Sequence, residues 1–135
     1  MVLYCRPNRR GENRLGYTVS VKLGHAVVRN RVRRRLREIV RLNGARLVPG
    51  YDVVIVARSR CVDAEYRKME EAYLKAIKKL GLLREIVRLN QAVLVPGYDV
   101  VIVARSKAVD CEYRRLEEAF LRACKKLGMV TEGGA

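Results

Sequence analysis

The sequence predicts an α+β fold in which a β-sheet is backed by helices. Three observations predict it: an alternating apolar and polar stretch at 16–22, an arginine-rich stretch at 26–42 with apolar residues at helical spacing, and a β-branched run at 51–57 that precedes a second helical pattern. Periods of two and of 3.6 residues distinguish strands from helices, and both occur here within one short chain.

The first predicted elements are two strands joined by a loop. Val2 to Cys5 is a short apolar run suited to a strand, whereas residues 6–13 contain Pro7, Gly11 and several charges, which indicates an exposed loop. From Gly16 to Lys22 apolar residues alternate with polar ones, so we predict a strand with one buried face there.

A helix is predicted from about Ala26 to Leu42. Its apolar residues recur every three or four positions and gather on one side: Val28, Val32, Leu36, Ile39 and Val40. The other side carries Asn30, Arg33, Arg34, Arg37 and Arg41, and Arg29 and Arg31 flank it.

A turn, a strand and a second helix follow. Val48-Pro49-Gly50 is a turn signal, and the β-branched run from Tyr51 to Ala57 indicates a buried strand. Asp63 is the expected N-cap of a helix from about 64 to 80 that Gly81 would end. Its predicted apolar stripe consists of Met69, Ala72, Tyr73, Ala76, Ile77 and Leu80.

Residues 36–82 and 83–129 align without gaps at an offset of 47 positions, and roughly three positions in four are identical. We interpret this as a tandem duplication, with Asp110 as the cap and Leu116–Leu127 as the stripe of the second final helix. Two copies are too few for a solenoid. The strand sequence VPGYDVVIVARS is identical in both copies, so either copy could occupy the same place in the sheet.

The charge of the chain predicts a polyanionic partner. The formal net charge is +15, from 29 Lys and Arg against 14 Asp and Glu. Residues 1–41 hold twelve basic and two acidic side chains, so the first part of the chain is the expected binding region.

Cysteine and histidine usage gives little support for a metal site. The four cysteines show no C-x-x-C spacing and His25 is the only histidine, so we expect buried thiols in a reducing cytoplasm and no metal held by the protein. No apolar run approaches the roughly 18 residues of a membrane span, so we expect no membrane partner.

Seven arginines lie between Arg29 and Arg41. A solvated face usually mixes charge signs, and a helix lying on a membrane usually carries aromatics on its apolar side; neither description fits this stretch. Arginine pairs bidentately with phosphate oxygens and stacks on bases, so the stretch favours RNA binding.

Residues 15–38, LGYTVSVKLGHAVVRNRVRRRLRE, resemble the signature of the protein subunit of bacterial ribonuclease P, and PGYDVVIVAR at 49–58 resembles the last strand of that family. The resemblance implies a two-layer, mixed four-stranded sheet like domain 2 of ribosomal protein S5, with a left-handed crossover before the basic helix. The duplicate would add a helix-strand-helix repeat. It implies a domain at 1–82 that lacks the usual first helix and strand, a duplicate at 83–129 and a flexible tail at 130–135.

The resemblance also implies a function. The chain would be the protein subunit of a tRNA 5′-processing endoribonuclease, with a catalytic RNA subunit and the 5′ leader of precursor tRNA as partners. Mg²⁺ is expected with the RNA, which performs the chemistry, and no protein side chain would be catalytic. A generic RNA-binding or ribosome-associated module is the alternative, and self-association through the duplicated strand is a third expectation.

The site residues are carried over position by position. The family motif corresponds to Arg29, Asn30 and Arg31, and its basic continuation to Arg33, Arg34 and Arg37. Tyr4 would stack on a leader base, or else be a core or edge aromatic; Lys22 would end a strand and face phosphate, or else be a solvated lysine. We expect the first copy of the repeated strand to fill the native place in the sheet and the second to pack as an addition.

Overall fold

The computed structural model describes residues 1–97, 101–105 and 113–130 of the 135-residue chain. Its strands are β1 (Val2–Pro7), β2 (Arg14–Thr18), β3 (Tyr51–Val56) and β4 (Ile102–Arg105). Its α-helices are α1 (Ala26–Leu42), α2 (Arg60–Asp63), α3 (Tyr66–Leu89) and α4 (Tyr113–Lys126). The α+β prediction is confirmed.

The four strands form one mixed sheet in the order β2-β3-β1-β4. β3 is parallel to β2 and antiparallel to β1, and β4 is antiparallel to the other edge of β1. Tyr4 of β1 is therefore in register with Val54 of β3 on one side and with Val103 of β4 on the other. The two copies of the repeated strand thus lie on opposite sides of β1.

The predicted second strand is partly wrong. β2 ends at Thr18, and Val21–Leu23 form a 3-10 turn instead of continuing the strand. The Ser20 side chain accepts a hydrogen bond from the Lys22 backbone N–H at 3.3 Å, and such local bonds compete with strand pairing. Gly24 then adopts a φ of 137°, which favours glycine, and α1 follows.

The basic helix has the predicted bounds. Of its predicted apolar residues, Val32, Leu36, Ile39 and Val40 are buried and Val28 is half-buried. Because the four buried residues pack into one core with strand residues such as Leu3 and Ile55, α1 is fixed on the sheet with its arginines outward.

The second predicted helix differs at both ends. Asp63 belongs to the short α2, Glu65 occupies the N-cap position of α3, and the helix continues through Gly81 to Leu89. An exposed glycine inside a helix costs only about 1 kcal/mol. The apolar pattern resumes with the buried Ile86, so packing offsets that cost and joins the end of the first copy to the start of the second.

The beginning of the second copy repeats the local contacts of the first. The Asn43 side chain donates to the Ile39 carbonyl at the end of α1 and to Glu70 of α3 at 3.0 Å. Asn90 makes the corresponding bonds at the end of α3, to Ile86 and to Glu117 of α4, the second also at 3.0 Å. The predicted cap Asp110 lies outside the described residues, as does most of the predicted tail.

The core lies between the sheet and the helices α1, α2 and α3. Cys5 and Cys61 belong to it, and Cys124 is buried on α4, as expected for structural thiols. Strand side chains alternate between faces, so Leu3 and Cys5 point toward the helices while Tyr4 points away. We call the side with half-buried Tyr4 and the exposed Val54 and Val103 the open sheet face.

Candidate nucleic-acid interface

The central cations of α1 lie together on its solvent side. Arg34 and Arg37 are exposed, Arg33 is half-exposed, and Asn30 lies exposed beside them. We call these four residues the α1 arginine face. The buried stripe on the opposite side of the helix holds this face outward, so its charges can meet a ligand without rearrangement of the fold.

Two other arginines of α1 connect the helix to the segment around α2. Arg31 donates to the Val62 carbonyl at 3.1 Å, and Arg35 donates to the Ala64 carbonyl at 3.1 Å. Both acceptors are neutral, so the guanidinium charges remain. These bonds fix the helix against its neighbour, and they leave Arg31, which is exposed, with further donors for a ligand.

The side of α1 that carries Arg37 lies next to β2. The Arg37 guanidinium lies 5.8 Å from the ring centre of Tyr17, and Arg33 donates to the Asn30 side chain at 3.1 Å. Burial raises the pKa of Tyr17, against a smaller lowering by Arg37. Arg29 is half-buried, and its Nε has no hydrogen-bond partner among the described residues.

Glu38 is the only acidic residue of α1, and it forms an ion pair with Arg41. The two side chains form a paired contact, with Arg41 Nε donating at 2.9 Å, and these bonds lower the pKa of Glu38. Arg41 is thereby partly neutralised. In the parts of the chain that the structure describes, no ion pair involves any residue of the α1 arginine face.

Lys22 and Tyr4 lie apart from that face. Lys22 is exposed on the 3-10 turn before α1, so its prediction as a strand-end lysine is wrong, although it remains a basic residue near the helix start. Tyr4 lies on the open sheet face, whereas α1 covers the other side of the sheet. The structure therefore brings Asn30, Arg33, Arg34 and Arg37 together and places Tyr4 on a separate surface.

Sequence reasoning missed the anchor of the loop between β1 and β2. The Asp52 carboxylate accepts bonds from Arg14 at 2.7 Å and from Asn8 at 3.0 Å, and these bonds hold its pKa well below the usual range. The loop thereby presents the exposed Arg9 and Arg10 at one end of the sheet. The available signal was an aspartate at the start of a β-branched strand, where a partly buried carboxylate needs a partner.

Neither a metal site nor a membrane-spanning helix is found among the described residues. They contain no group of three or more His, Cys, Asp or Glu side chains that could hold a metal ion. Across 1–97, 101–105 and 113–130, every helix is too short or too polar to span a membrane.

Comparison with known proteins relates this fold and its arginine face to one family. The sequence profile of the family described as Ribonuclease P matches residues 1–81 and again residues 82–128. The ribonuclease P protein component of Alkaliphilus oremlandii is 45% identical over 83 residues, which cover 62% of this chain and 73% of the relative. That of Caldanaerobacter subterraneus is 46% identical over 82 residues, covering 61% of this chain and 71% of the relative.

A solved structure agrees with the sequence matches. The RNase P protein from Thermotoga maritima superposes with a TM-score of 0.54 at 30% identity, covering 57% of this chain and 74% of that chain. The first profile match, residues 1–81, includes β1, β2, β3 and the basic helix. The chain therefore belongs to the ribonuclease P protein family.

Proposed function

We propose that this chain is the protein subunit of ribonuclease P in the cytoplasm, where it binds the catalytic RNA and the 5′ leader of precursor tRNA to assist removal of that leader. The observation that carries the proposal is the α1 arginine face, whose outward cations form no ion pair among the described residues and whose helix is packed on the sheet by its other side. Family membership indicates the enzyme to which the chain would belong, and the arginine face would let this chain bind RNA.

The arginine face would bind phosphates of the catalytic RNA. Each guanidinium presents parallel N–H donors that match two phosphate oxygens, and Arg34 has no contact within the described residues to break first. Arg29 and Arg31, on the flanks, would extend the contact. Because α1 is already fixed by its buried stripe and by the bonds of Arg31 and Arg35, little additional ordering of the backbone is needed on binding.

The open sheet face would hold the single-stranded leader. Tyr4 is half-buried between two valines, so its ring is supported at its sides and offers a surface to a base. Stacking of a base on an aromatic side chain contributes about 1–3 kcal/mol. Lys22 would add a phosphate contact near the start of α1.

We assign no catalytic side chain to this chain. Magnesium would be bound with the RNA subunit, which supplies the hydrolytic chemistry. The protein's residues would bind and orient the two RNAs, a role that needs cations and an aromatic surface rather than a cluster of carboxylates.

The finer features of the fold are part of the proposal. We infer that residues 1–82 form the family domain, with β3 in the native place of the repeated strand and a left-handed crossover like that of ribosomal protein S5 before the basic helix. Residues 83–129 would be the added unit and 130–135 a flexible tail. The central position of β3, between β2 and β1, supports the assignment of the first copy.

Reconstitution tests the function. The full chain is mixed with a bacterial ribonuclease P RNA and precursor tRNA at a magnesium concentration where the RNA alone is nearly inactive, and leader removal is followed. Enhanced cleavage that is lost in an Arg33→Ala, Arg34→Ala, Arg37→Ala variant is expected. Tight RNA binding without enhancement would instead favour the alternative, a generic RNA-binding or ribosome-associated module.

Self-association through the duplicated strand is tested separately. β4 is bonded to β1 on one side and, among the described residues, to no strand on the other; Val103 within it and Val101 just before it are exposed. Sedimentation over a range of concentrations would show a monomer if β4 serves only its own sheet, and a concentration-dependent dimer if that edge pairs between chains.

A further inference from the structure

The outer side of α4 carries a line of cations that the proposed function does not use. Arg115, Arg122 and Lys126 are exposed and lie seven and four residues apart, so they fall on one side of the helix, within an arc of about 40°. We call them the α4 basic ridge. It extends for about 16 Å along the helix.

Acidic side chains do little to neutralise this ridge. Glu117 turns inward and accepts the hydrogen bond from Asn90, which leaves Glu118 as the one acid on the exposed side of α4. Within the described ranges, none of the three ridge cations takes part in an ion pair. The exposed Ala119 and Ala123 beside the ridge are short, so they would not obstruct the approach of a polymer backbone.

The first copy contains the matching positions on α3. There the residues are Lys68, Lys75 and Lys79, which we call the α3 basic ridge, and Lys79 is only half-exposed. The second copy thus has arginine at two positions where the first has lysine. Arginine binds phosphate through two parallel bonds whereas lysine acts as a point charge, so we expect the second copy to bind phosphate more strongly than the first.

We propose that the α4 basic ridge is a second RNA-binding surface of this chain, which contacts the phosphate backbone of structured RNA independently of α1. The duplication would then add RNA contacts as well as a strand. The proposal depends on the proposed function only for the identity of the RNA, because phosphates are common to every RNA.

The test compares salt dependences of binding. The full chain and its variants are titrated with an in vitro transcribed ribonuclease P RNA over a series of salt concentrations. The main variant carries Arg115→Ala, Arg122→Ala and Lys126→Ala. The matched control removes the same charge from the α3 basic ridge, by Lys68→Ala, Lys75→Ala and Lys79→Ala, and circular dichroism verifies that both variants fold.

Three lost phosphate contacts should make the slope of log K against log salt shallower by about 2 to 3, at about 0.7–0.9 per contact. Because the proposed contact lies on α4 and not on α3, the α3 control should change the slope by clearly less. A conservative variant, Arg115→Lys with Arg122→Lys, should keep the slope but bind severalfold more weakly, because charge remains and the bidentate geometry is lost.

Two outcomes would overturn the proposal. An unchanged slope in the α4 variant means that the ridge is a solvated surface. Equal changes in the α4 and α3 variants mean that only net charge matters. A parallel titration of the α1 triple variant separates this result from the proposed function, since α1 can act on RNA whether or not α4 does.

Discussion

The α1 arginine face makes a quantitative prediction about the salt dependence of RNA binding. Replacing Arg33, Arg34 and Arg37 with alanine removes one half-exposed and two exposed cations of α1, which have neither a carboxylate partner nor a bond to a distant carbonyl among the described residues. Alanine is the best helix former, so the helix should persist. The variant therefore tests charge rather than folding.

The magnitude follows from which arginines are free. Arg31 and Arg35 are bonded to carbonyls and Arg41 is bonded to Glu38. We therefore count three full phosphate contacts for the α1 arginine face, one each for Arg33, Arg34 and Arg37. At about 0.7 per contact for single strands and about 0.9 for a duplex, the slope should become shallower by about 2 to 3. Affinity at low salt should fall by an order of magnitude or more.

Fluorescence anisotropy with labelled ribonuclease P RNA measures the slope. Arg35→Ala is the matched control on the same helix, because it removes one charge from a side chain that is bonded to the Ala64 carbonyl. This variant should lower the free energy of unfolding, and it should leave the slope of log K against log salt nearly unchanged. A triple variant with the native slope, or a single Arg35 variant with an equally large change, would refute the assignment of RNA binding to this face.

Three further predictions concern stability. Tyr73 is fully buried, its hydroxyl has no partner among the described residues, and burial raises its pKa from 10.0 to about 12; the second copy has Phe120 at the matching position. Tyr73→Phe should raise the free energy of unfolding in urea by about 1 kcal/mol. It should also reduce the loss of stability that is expected of the native chain as pH rises from 10 to 12, because folding favours the neutral phenol of Tyr73; a less stable variant would contradict this. Gly81 lies inside α3 with open space around it, whereas Gly128 follows α4 at φ 69° after the same residues KKL. Gly81→Ala should therefore raise the melting temperature and Gly128→Ala lower it. A lower melting temperature for the Gly81→Ala variant would show that α3 ends at Gly81. Finally, the amides of β3 should exchange with deuterium about tenfold more slowly than those of β4, since β3 has a neighbour on both sides. Because the two copies of the strand have the same sequence, their intrinsic exchange rates are equal. Faster exchange in β3 than in β4 would therefore reverse the assignment of the two copies.

Local patterns predicted the basic helix well because both of its signals agree. The buried residues Val32, Leu36, Ile39 and Val40 fall on one side and the arginines on the other, so burial and charge fix the same orientation. The arginine face could therefore be predicted from the sequence alone. The same agreement predicted the buried Met69, Tyr73 and Ala76 of α3.

Long-range contacts decided the features that the sequence did not predict. Gly81 has the same local sequence as Gly128 but does not end its helix, because the following residues pack on the core. Identical sequences in β3 and β4 cannot reveal which lies at the centre of the sheet. The bonds from Arg31 and Arg35 reach carbonyls about thirty residues away, a pairing with no local pattern.

Site-specific cross-linking tests most directly whether the α1 arginine face lies on RNA. A photoreactive side chain is placed at position 34, at the centre of the face, and for comparison at position 71, where the exposed Glu71 lies on α3. After assembly with ribonuclease P RNA, irradiation should yield a cross-link from position 34 at a defined RNA site and little from position 71. No cross-link from position 34, or equal yields from both positions, would contradict the account.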